Sequence, residues 1–590
     1  MHAAIRRERH FGDRVVRCYS QRPASLGAML RAAAARRPDA EALVAGARRL
    51  LWRELLTLST QLADSLQALG VTRGDRVALL LGNGEEFVLA SLAVIDLGAI
   101  LVPIGIREGL PGVRSIVDHS QARVLIAHAG VLAGLCSASE AGRPVPDAPW
   151  SRDEAGSALP DAPWSRRESG NAVHARDSAA LGSQGLRAQC GSCLEHLIVA
   201  GAAPGTLASP ALSWEHLLAH DAPGVSRSYL AFGARAQVDE EDVVAILYTS
   251  GTTGFPKGAM LTHLNILHSV LHYAHAFGLD SSVRAGVAVP MSHVTGLVAL
   301  MATGLGVGGC IIVWAQFQAA GFLRLAARER MSFTIMVPAM YKLCLLEPAL
   351  HTLDLGCWTV GGYGGAPMPP DTIAALAEAL PALRLSNCYG ATETASPVTV
   401  MPAERTGSRP DSVGVPLPCA EVAVMDEAGR ELPFGEVGEL WLKGPMVVPG
   451  YWRNSEASRE AFVGGYWRSG DAGTIDAEGF VILLDRYKDM LNRGGYKVYS
   501  VEVEHTLCTH PAVLEAAVVA RPCPVLGERV HAFVCLRPGM PAEGEDLRAY
   551  CTRHLADYKV PESITLRDAP LPRNANGKIL KRELRALLQT

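Results

Sequence analysis

The chain has 590 residues, 49% of them hydrophobic and 19% charged, with a formal net charge of −4 at pH 7. This length exceeds what one hydrophobic core usually holds, so we expect at least two domains. Near-neutral charge and abundant apolar residues argue against a disordered chain and against a nucleic-acid-binding protein. Thirteen cysteines without a repeating spacing indicate reduced thiols, and hence a cytoplasmic protein.

Apolar runs typical of strands alternate with amphipathic stretches typical of helices. The run RVALLLGNG (76–84) precedes the helical pattern EEFVLASLAVIDLG and a second strand-like run, AILVPI. The run DVVAILY (242–248) likewise precedes a glycine-rich loop and a helical stretch. Such alternation predicts mostly parallel sheets covered by helices. From about residue 411, short strands with glycine and proline turns predict a small β-rich subdomain.

Residues 134–191 are rich in Ser, Ala, Gly, Arg and Pro, and they contain the segment PDAPWSR twice. A repeated segment with few apolar residues cannot bury enough surface to order itself, so we expect a disordered surface insertion. A binding role for its tryptophans Trp150 and Trp164 is the alternative. Cys190 and Cys193 have C-x-x-C spacing near His196, but a zinc site would need further ligands, and two free thiols are favoured.

Residues 285–323 contain no Asp, Glu, Lys or Arg. Their centre, GLVALMATGLGVGGCIIVW, is long enough to cross a bilayer. Glycines at 304, 306, 308 and 309 interrupt it. A buried helix, turn and strand are therefore favoured over a membrane span.

The loop YTSGTTGFPKG (248–258) combines glycines and hydroxyl side chains with a single lysine. It fails as a Walker A loop, because Lys257 is followed by Gly258 and not by Ser or Thr. Its hydroxyl groups, and the backbone N–H groups beside its glycines, can still bind phosphate oxygens. The sequence therefore indicates a phosphate-binding loop of another kind.

Five further motifs follow this loop in order. They are GGAP (364–367), NCYGATE (387–393), YWRSGD ending at Asp471, DRYKDMLNRGGYKVYSVEVE (485–504), and PRNANGKILKREL near the end of the chain. Together these segments resemble the adenylate-forming superfamily, which includes acyl- and aryl-CoA synthetases, adenylation domains of peptide synthetases and firefly-type luciferases. The resemblance, strongest to fatty-acid–CoA ligases, implies an α/β fold with stacked, mostly parallel sheets and a small β-rich subdomain in a large N-terminal AMP-binding domain (1–487). It also implies a small mobile α+β C-terminal domain (488–590).

The resemblance implies a role for each motif in binding ATP. The loop would hold the β- and γ-phosphates, the adenine would lie along the next two motifs, and Asp471 and Arg486 would hold the ribose. Thr392 would contact the α-phosphate, and Glu393 would bind Mg²⁺ together with Thr252, since Mg²⁺ prefers carboxylate and phosphate oxygens. The implied phosphate-binding residues are Thr249, Ser250, Gly251, Thr252, Thr253 and Lys257, and the implied adenine-binding residues are Gly365, Ala366, Pro367, Asn387, Tyr389 and Gly390.

The C-terminal motifs imply a reaction in two steps. Lys578 would place its charge between the substrate carboxylate and the α-phosphate, which favours in-line attack. Lys488 falls at the hinge about which the C-terminal domain would rotate. Gly495 falls where the pantetheine arm of coenzyme A would pass close to the backbone. Catalysis would thus rest on Lys578, Thr392 and Glu393.

Two positions depart from the family pattern and concern the acyl pocket and the hinge. Ser500 stands where a proline is usual, and Ser292 replaces the aromatic residue before His293. His293 would gate the acyl tunnel, or it would be an ordinary core histidine. Gly362 and Tyr363 would line the pocket floor, from their place before GGAP.

The combined interpretation is an ATP-dependent ligase that uses Mg²⁺ and coenzyme A to activate a small-molecule carboxylic acid. An uncharged pocket segment favours an apolar monocarboxylic acid, fatty or aromatic, over an amino acid or a small diacid. An enzyme that loads the phosphopantetheine of an acyl carrier protein is the alternative, and a non-enzymatic binding protein is a third reading. The sequence leaves the oligomeric state, monomer or homodimer, open.

Overall fold

In the computed structural model the chain folds into two compact units. The first unit consists of residues 1–410, 414–421 and 443–467, and the second of residues 411–413, 422–442 and 468–590. The residues that the structure describes are 4–141, 189–202, 207, 211–219, 228–249, 256–573 and 579–588.

One sheet of the first unit carries the glycine-rich loop. Its strands pair in parallel through the middle of the sheet, while the hairpin of Val243–Thr249 and Lys257–Thr262 is antiparallel. Leu79 and Val102 in central strands are fully buried, as expected when helices cover both faces. The strand order is Lys257–Thr262, Val243–Thr249, Ile100–Pro103, Arg76–Leu80, Val124–His128, His196–Ala200 and Leu212–Ser213.

A second sheet of the first unit is parallel from strand Glu41–Ala45 to strand Arg384–Tyr389. Antiparallel strands Arg48–Leu51 and Thr399–Val400 flank this parallel part. The prediction of mostly parallel sheets is confirmed. The parallel strands lie in the order Glu41–Ala45, Cys310–Val313, Arg284–Val287, Phe333–Met336, Val360–Tyr363 and Arg384–Tyr389.

Helices connect these strands, and their ends carry recognisable caps. Helix His263–Phe277 begins with a capping box, in which Thr262 and Asn265 bond to each other's backbone N–H groups, and it ends at Gly278 with φ of 64°. A separate hairpin, Ile5–His10 with Arg14–Tyr19, precedes the first helix. Among the described residues, the α-helices of this unit are Leu26–Arg36, Trp52–Ala68, Glu85–Asp96, Leu110–Ser120, Ala129–Ala141, Trp214–Ala219, His263–Phe277, Thr303–Gly306, Ala319–Arg328, Pro338–Leu345, Pro370–Ala379 and Ser455–Ala461.

The charge-free segment folds as predicted. A π-helix, Thr295–Ala302, continues into the short helix Thr303–Gly306, and a turn leads to the buried strand Cys310–Val313. None of the helices that the structure describes combines the length and the apolar character that crossing a membrane requires.

The second unit contains a group of neighbouring strands, of which Tyr466–Ile475 and Val481–Arg486 are antiparallel, followed by an α+β sheet. The first group is Glu421–Met425, Gly438–Lys443, Tyr466–Ile475 and Val481–Arg486. The α+β sheet has the order Tyr496–Val498, Leu491–Arg493, Gly527–Leu536 and Val513–Cys523, with Ser563–Arg567 parallel to Gly527–Leu536. Its helices are Ser500–Cys508, Gly544–His554 and Lys581–Ala586.

The predicted boundaries of the insertion and of the two domains stay predictions, and the structure describes residues near both. Helix Ala129–Ala141 runs through the first residues of the predicted insertion 134–191, so ordered structure extends to residue 141; residues 142–188 lie outside the described part. The boundary at 487/488 stays a prediction, and strand Val481–Arg486 lies in the second compact unit, which includes residues 468–590. Within this unit, Ser500 donates two hydrogen bonds to Asp485 of that strand. A hinge at Lys488 stays a prediction.

Candidate active site

The GGAP and NCYGATE motifs lie at one edge of the parallel sheet. Strands Val360–Tyr363 and Arg384–Tyr389 are neighbours, and Tyr363 pairs with Asn387, so the loops after them leave the sheet side by side. A side-chain carbon on Gly364 would lie 2.5 Å from the carbonyl oxygen of Cys388, which explains the glycine. Ligands of α/β proteins bind at such carboxyl edges. The predicted adenine-binding residues of the two motifs therefore lie where a nucleotide site is expected.

Glu393 is the centre of a buried polar cluster in the first unit. The hydroxyl of Tyr451 donates a hydrogen bond of 3.0 Å to Oε1 of Glu393. The ammonium of Lys257 lies 5.1 Å from the centre of the Tyr451 ring, a cation–π distance. Burial, reinforced by the Glu393 carboxylate, raises the pKa of Tyr451. Tyr451 thus remains a donor and links the carboxylate expected to bind magnesium to the lysine expected to bind phosphate.

Backbone pairing holds Tyr451 in this position. Met260 N–H donates to Gly450 O, and Trp452 N–H donates to Gly258 O, at 3.1 and 2.7 Å. Strand Lys257–Thr262 is therefore paired with residues 450–452 as well as with strand Val243–Thr249. Tyr451 was not among the site residues predicted from the sequence. The sequence signal for it was the segment PGYW, in which a tyrosine follows a turn within a buried segment.

Thr249 and Lys257 face each other across the base of the predicted phosphate loop. They pair in register, and Thr249 Oγ1 donates to the carbonyl of Lys257 at 3.4 Å. The loop therefore leaves and re-enters the sheet at one point. Ser250, Gly251, Thr252 and Thr253 lie outside the described residues, as does Lys578, and their roles stay predictions.

Asp471 and Arg486 form an ion pair in the second unit. They are opposite residues of strands Tyr466–Ile475 and Val481–Arg486, and Arg486 Nε lies 3.1 Å from Asp471 Oδ1. Arg486 also donates to Ser469 O at 3.1 Å, and Asp471 N–H donates to Ser469 Oγ at 2.9 Å. These contacts fix the orientation of the carboxylate. The structure thus brings together the two residues expected to hold a ribose.

The predicted hinge is followed by a tight glycine hairpin. Burial lowers the pKa of Lys488, and the neighbouring Arg486 charge adds to this effect. Gly494 and Gly495 have φ of 59° and 93°, values that favour glycine, and no atom lies within 4 Å of a side-chain carbon added to Gly495. The open space beside Gly495 is compatible with a narrow arm passing the backbone.

Ser500 has a defined role in place of the usual proline. It is fully buried at the first position of helix Ser500–Cys508, where a proline would be well accommodated. Its N–H and hydroxyl both donate to Oδ2 of Asp485. Lys581 donates to Ser500 Oγ at 2.7 Å and pairs with Glu504 at 2.7 Å. The serine joins strand Val481–Arg486 to the C-terminal helix.

The residues predicted to line the acyl pocket lie at the same sheet edge but differ in exposure. Tyr363 is 1% exposed, and a side-chain carbon on Gly362 would lie 2.7 Å from Ile335, so the space beside Gly362 is filled. His293 is partly buried, and burial lowers its pKa, so the imidazole is neutral near pH 7. The pocket role of all three stays a prediction.

Asn83 holds the loop that carries His293 through three hydrogen bonds. Asn83 was not among the site residues predicted from the sequence. Its amide group donates to the carbonyls of Val289 and Trp314 at 2.9 and 3.1 Å and accepts from Met291 N–H at 2.8 Å. It thereby ties the charge-free segment to the end of strand Arg76–Leu80. The GNG turn was the available signal.

Comparisons with known proteins match nearly the whole chain. The sequence model of the family described as AMP-binding enzyme matches residues 30–452, and that of the AMP-binding enzyme C-terminal domain matches residues 502–578. A feruloyl-CoA synthase of Amycolatopsis sp is 31% identical, covering 93% of this chain and 96% of its own. A fatty acid–[acyl-carrier-protein] ligase, ScoC, of Streptomyces coeruleorubidus is 30% identical, covering 93% of each chain. The long-chain-fatty-acid–CoA ligase FadD13 of Mycobacterium tuberculosis is 30% identical, covering 95% and 98%.

A solved structure gives the same result for the fold. The anthranilate CoA ligase AuaEII in complex with anthranoyl-AMP superposes with a TM-score of 0.77 at 25% identity, covering 96% of this chain and 98% of its own. The expected adenylate-forming fold is confirmed. With family matches over both parts of the chain, this protein belongs to the AMP-binding enzyme family and is an AMP-forming acyl-CoA synthetase.

Proposed function

We propose that the enzyme activates an apolar monocarboxylic acid, fatty or aromatic, as its acyl-adenylate with release of pyrophosphate, and then transfers the acyl group to coenzyme A. The observation that carries this proposal is the cluster of Glu393, Tyr451 and Lys257 at the base of the glycine-rich loop. It combines one carboxylate for a cation, one ammonium for phosphate and one neutral donor that orients the carboxylate.

The cluster suits the first step, in which a carboxylate attacks a triphosphate and negative charge must be neutralised. Lys257 supplies a positive charge, held in place by the Tyr451 ring. Oε1 of Glu393 accepts the hydrogen bond from Tyr451, which orients the carboxylate. Glu393 and Thr252 would hold Mg²⁺, which in this enzyme family's chemistry neutralises phosphate charge when bound. The donor set is all oxygen, as Mg²⁺ prefers.

The acid is proposed from the charge-free segment and from the relatives. Residues 285–323 contain no acidic side chain for an amino group and no basic side chain for a second carboxylate. This segment is largely buried from Val287 to Val313. Relatives named for feruloyl-CoA synthesis, for fatty acids and for anthranilate all concern carboxylic acids with an apolar body. Fatty acid metabolism is one setting for such an enzyme, and the cytoplasm is its expected location.

The acceptor of the second step is proposed to be coenzyme A. The open space beside Gly495 leaves room for a pantetheine arm next to the backbone. The same arm is carried by acyl carrier proteins, and one relative is named as a fatty acid–[acyl-carrier-protein] ligase. Carrier-protein loading is therefore the second candidate function.

Pyrophosphate exchange with a panel of carboxylic acids tests the proposal. We expect aromatic and aliphatic monocarboxylic acids to support exchange, and amino acids and dicarboxylic acids to fail. Lys578→Ala should abolish acyl-adenylate formation but spare thioester formation from supplied acyl-adenylate, while Lys342→Ala, an exposed lysine, serves as the control. Absence of exchange with every acid would refute the proposal, and faster transfer to a carrier protein than to coenzyme A would replace its second half.

A further inference from the structure

The N-terminal hairpin contacts the segment that carries Tyr451. Strands Ile5–His10 and Arg14–Tyr19 pair in full register, and the hairpin precedes the region matched by the family model, which begins at residue 30. Arg14 is the first residue of its second strand. Its guanidinium reaches residues 448 and 449, more than 400 positions further along the chain.

Arg14 donates hydrogen bonds to the backbone carbonyl groups of two consecutive residues. Nη1 donates to Val448 O and Nη2 donates to Pro449 O, each at 2.8 Å. The guanidinium also lies 5.5 Å from the centre of the Phe11 ring and 5.3 Å from the centre of the Phe462 ring. The planar guanidinium carries two donors that point at the two carbonyl oxygens together, and a lysine ammonium cannot reproduce this paired geometry.

The charge of Arg14 is held by carbonyl groups and aromatic rings. Among the described residues no carboxylate lies within ion-pair distance of Arg14; burial lowers its pKa, and the charge of the adjacent Asp13 opposes this effect. Desolvating a cation without an anionic partner costs stability unless hydrogen bonds compensate. A contact of this kind points to a role in holding the bound segment.

Residues 448 and 449, which Arg14 binds, are connected by hydrogen bonds to Glu393. Val448 N–H donates to the carbonyl of Glu393 at 2.9 Å, and Tyr451, two residues after Pro449, donates to the Glu393 carboxylate. Phe462, one of the rings beside Arg14, also packs edge-on against Tyr451 with ring centres 5.5 Å apart. Arg14 therefore supports the cluster through the backbone and through a shared ring.

We propose that Arg14 is a positioning residue for adenylation, which holds residues 448–451 so that Tyr451 keeps the Glu393 carboxylate and the Lys257 ammonium in place. This inference rests on the proposed function of that cluster. It assigns to the N-terminal hairpin a part in the first half-reaction and none in the transfer to the thiol.

The test measures each half-reaction separately in two Arg14 variants. Arg14→Met removes both hydrogen bonds but keeps an apolar stem, and Arg14→Lys keeps the charge without the fork. Loss of two such bonds should lower the adenylation rate about tenfold and raise the Mg²⁺ concentration needed for half of the maximal rate. Thioester formation from supplied acyl-adenylate should stay within about twofold, with Arg14→Lys in between for adenylation. Arg17→Met, an exposed arginine of the same strand, is the matched control.

Two results would overturn the inference. One is adenylation and Mg²⁺ dependence in Arg14→Met equal to those of Arg17→Met. The other is an equal loss of both half-reactions with a large fall in melting temperature, which would mark a purely structural role. Failure of the wild-type enzyme to exchange pyrophosphate would instead refute the proposed function, so the two failures are distinguishable.

Discussion

Tyr451→Phe tests the buried cluster most directly. The substitution removes the hydroxyl that donates to Glu393 at 3.0 Å and keeps the ring that faces Lys257. Both partners are largely buried, at 6% exposed for Tyr451 and 8% for Glu393, so water cannot easily replace the lost donor. The cation–π contact should survive, and the change therefore isolates one hydrogen bond.

The magnitude follows from the charge of the acceptor. A hydrogen bond to a charged group contributes about 1.5–3 kcal/mol. If the whole contribution is felt in the transition state, the adenylation rate falls about tenfold to 150-fold. Some of the loss should appear as a lower apparent affinity for Mg²⁺, since the carboxylate is no longer held in one orientation.

Pyrophosphate exchange at varied Mg²⁺ and ATP concentrations measures the effect. Tyr466→Phe is the control, because its hydroxyl donates to Glu421 at 3.3 Å outside the cluster. Transfer from supplied acyl-adenylate to coenzyme A should be unchanged in both variants. A Tyr451→Phe enzyme with the rate and Mg²⁺ response of Tyr466→Phe would refute the assigned role of this hydrogen bond.

Three other predictions concern pH, the sheet edge and the hinge. Burial lowers the pKa of His263 and His268 from 6.5 to about 4, so the unfolded chain binds protons first as the pH falls. The free energy of unfolding should then fall between pH 6.5 and 4, by about 2 kcal/mol for each histidine at pH 5. Urea denaturation measures this free energy across the range, and a value that does not change with pH would contradict the reasoning. Gly364→Ala should raise the KM for ATP in exchange kinetics by displacing the motif loop, because the new carbon would lie 2.5 Å from a carbonyl oxygen; an unchanged KM would contradict this. Ser500→Pro removes both donors to Asp485 and should shift the two half-reaction rates in opposite directions, whereas equal changes in both rates would argue against a hinge contact.

Much of the fold and the family could be predicted from local sequence patterns. Strand-like runs such as 76–84, the glycine-interrupted segment 285–323 and the ordered motifs each depend on residues close together in the chain. Such patterns act through backbone conformation and side-chain periodicity, which neighbouring residues decide. Gly495 and the Asp471–Arg486 pair also lie in motifs that can be recognised without a structure.

Tertiary structure decided which distant groups meet. Tyr451 and Glu393 are 58 residues apart, Asn83 and Val289 are 206 apart, and Arg14 and Val448 are 434 apart. No local pattern specifies these contacts, since each depends on how strands and loops from separate parts of the chain pack. Single hydrogen bonds of this kind are selected by the whole fold, because burial leaves each donor only the acceptors that packing brings within reach.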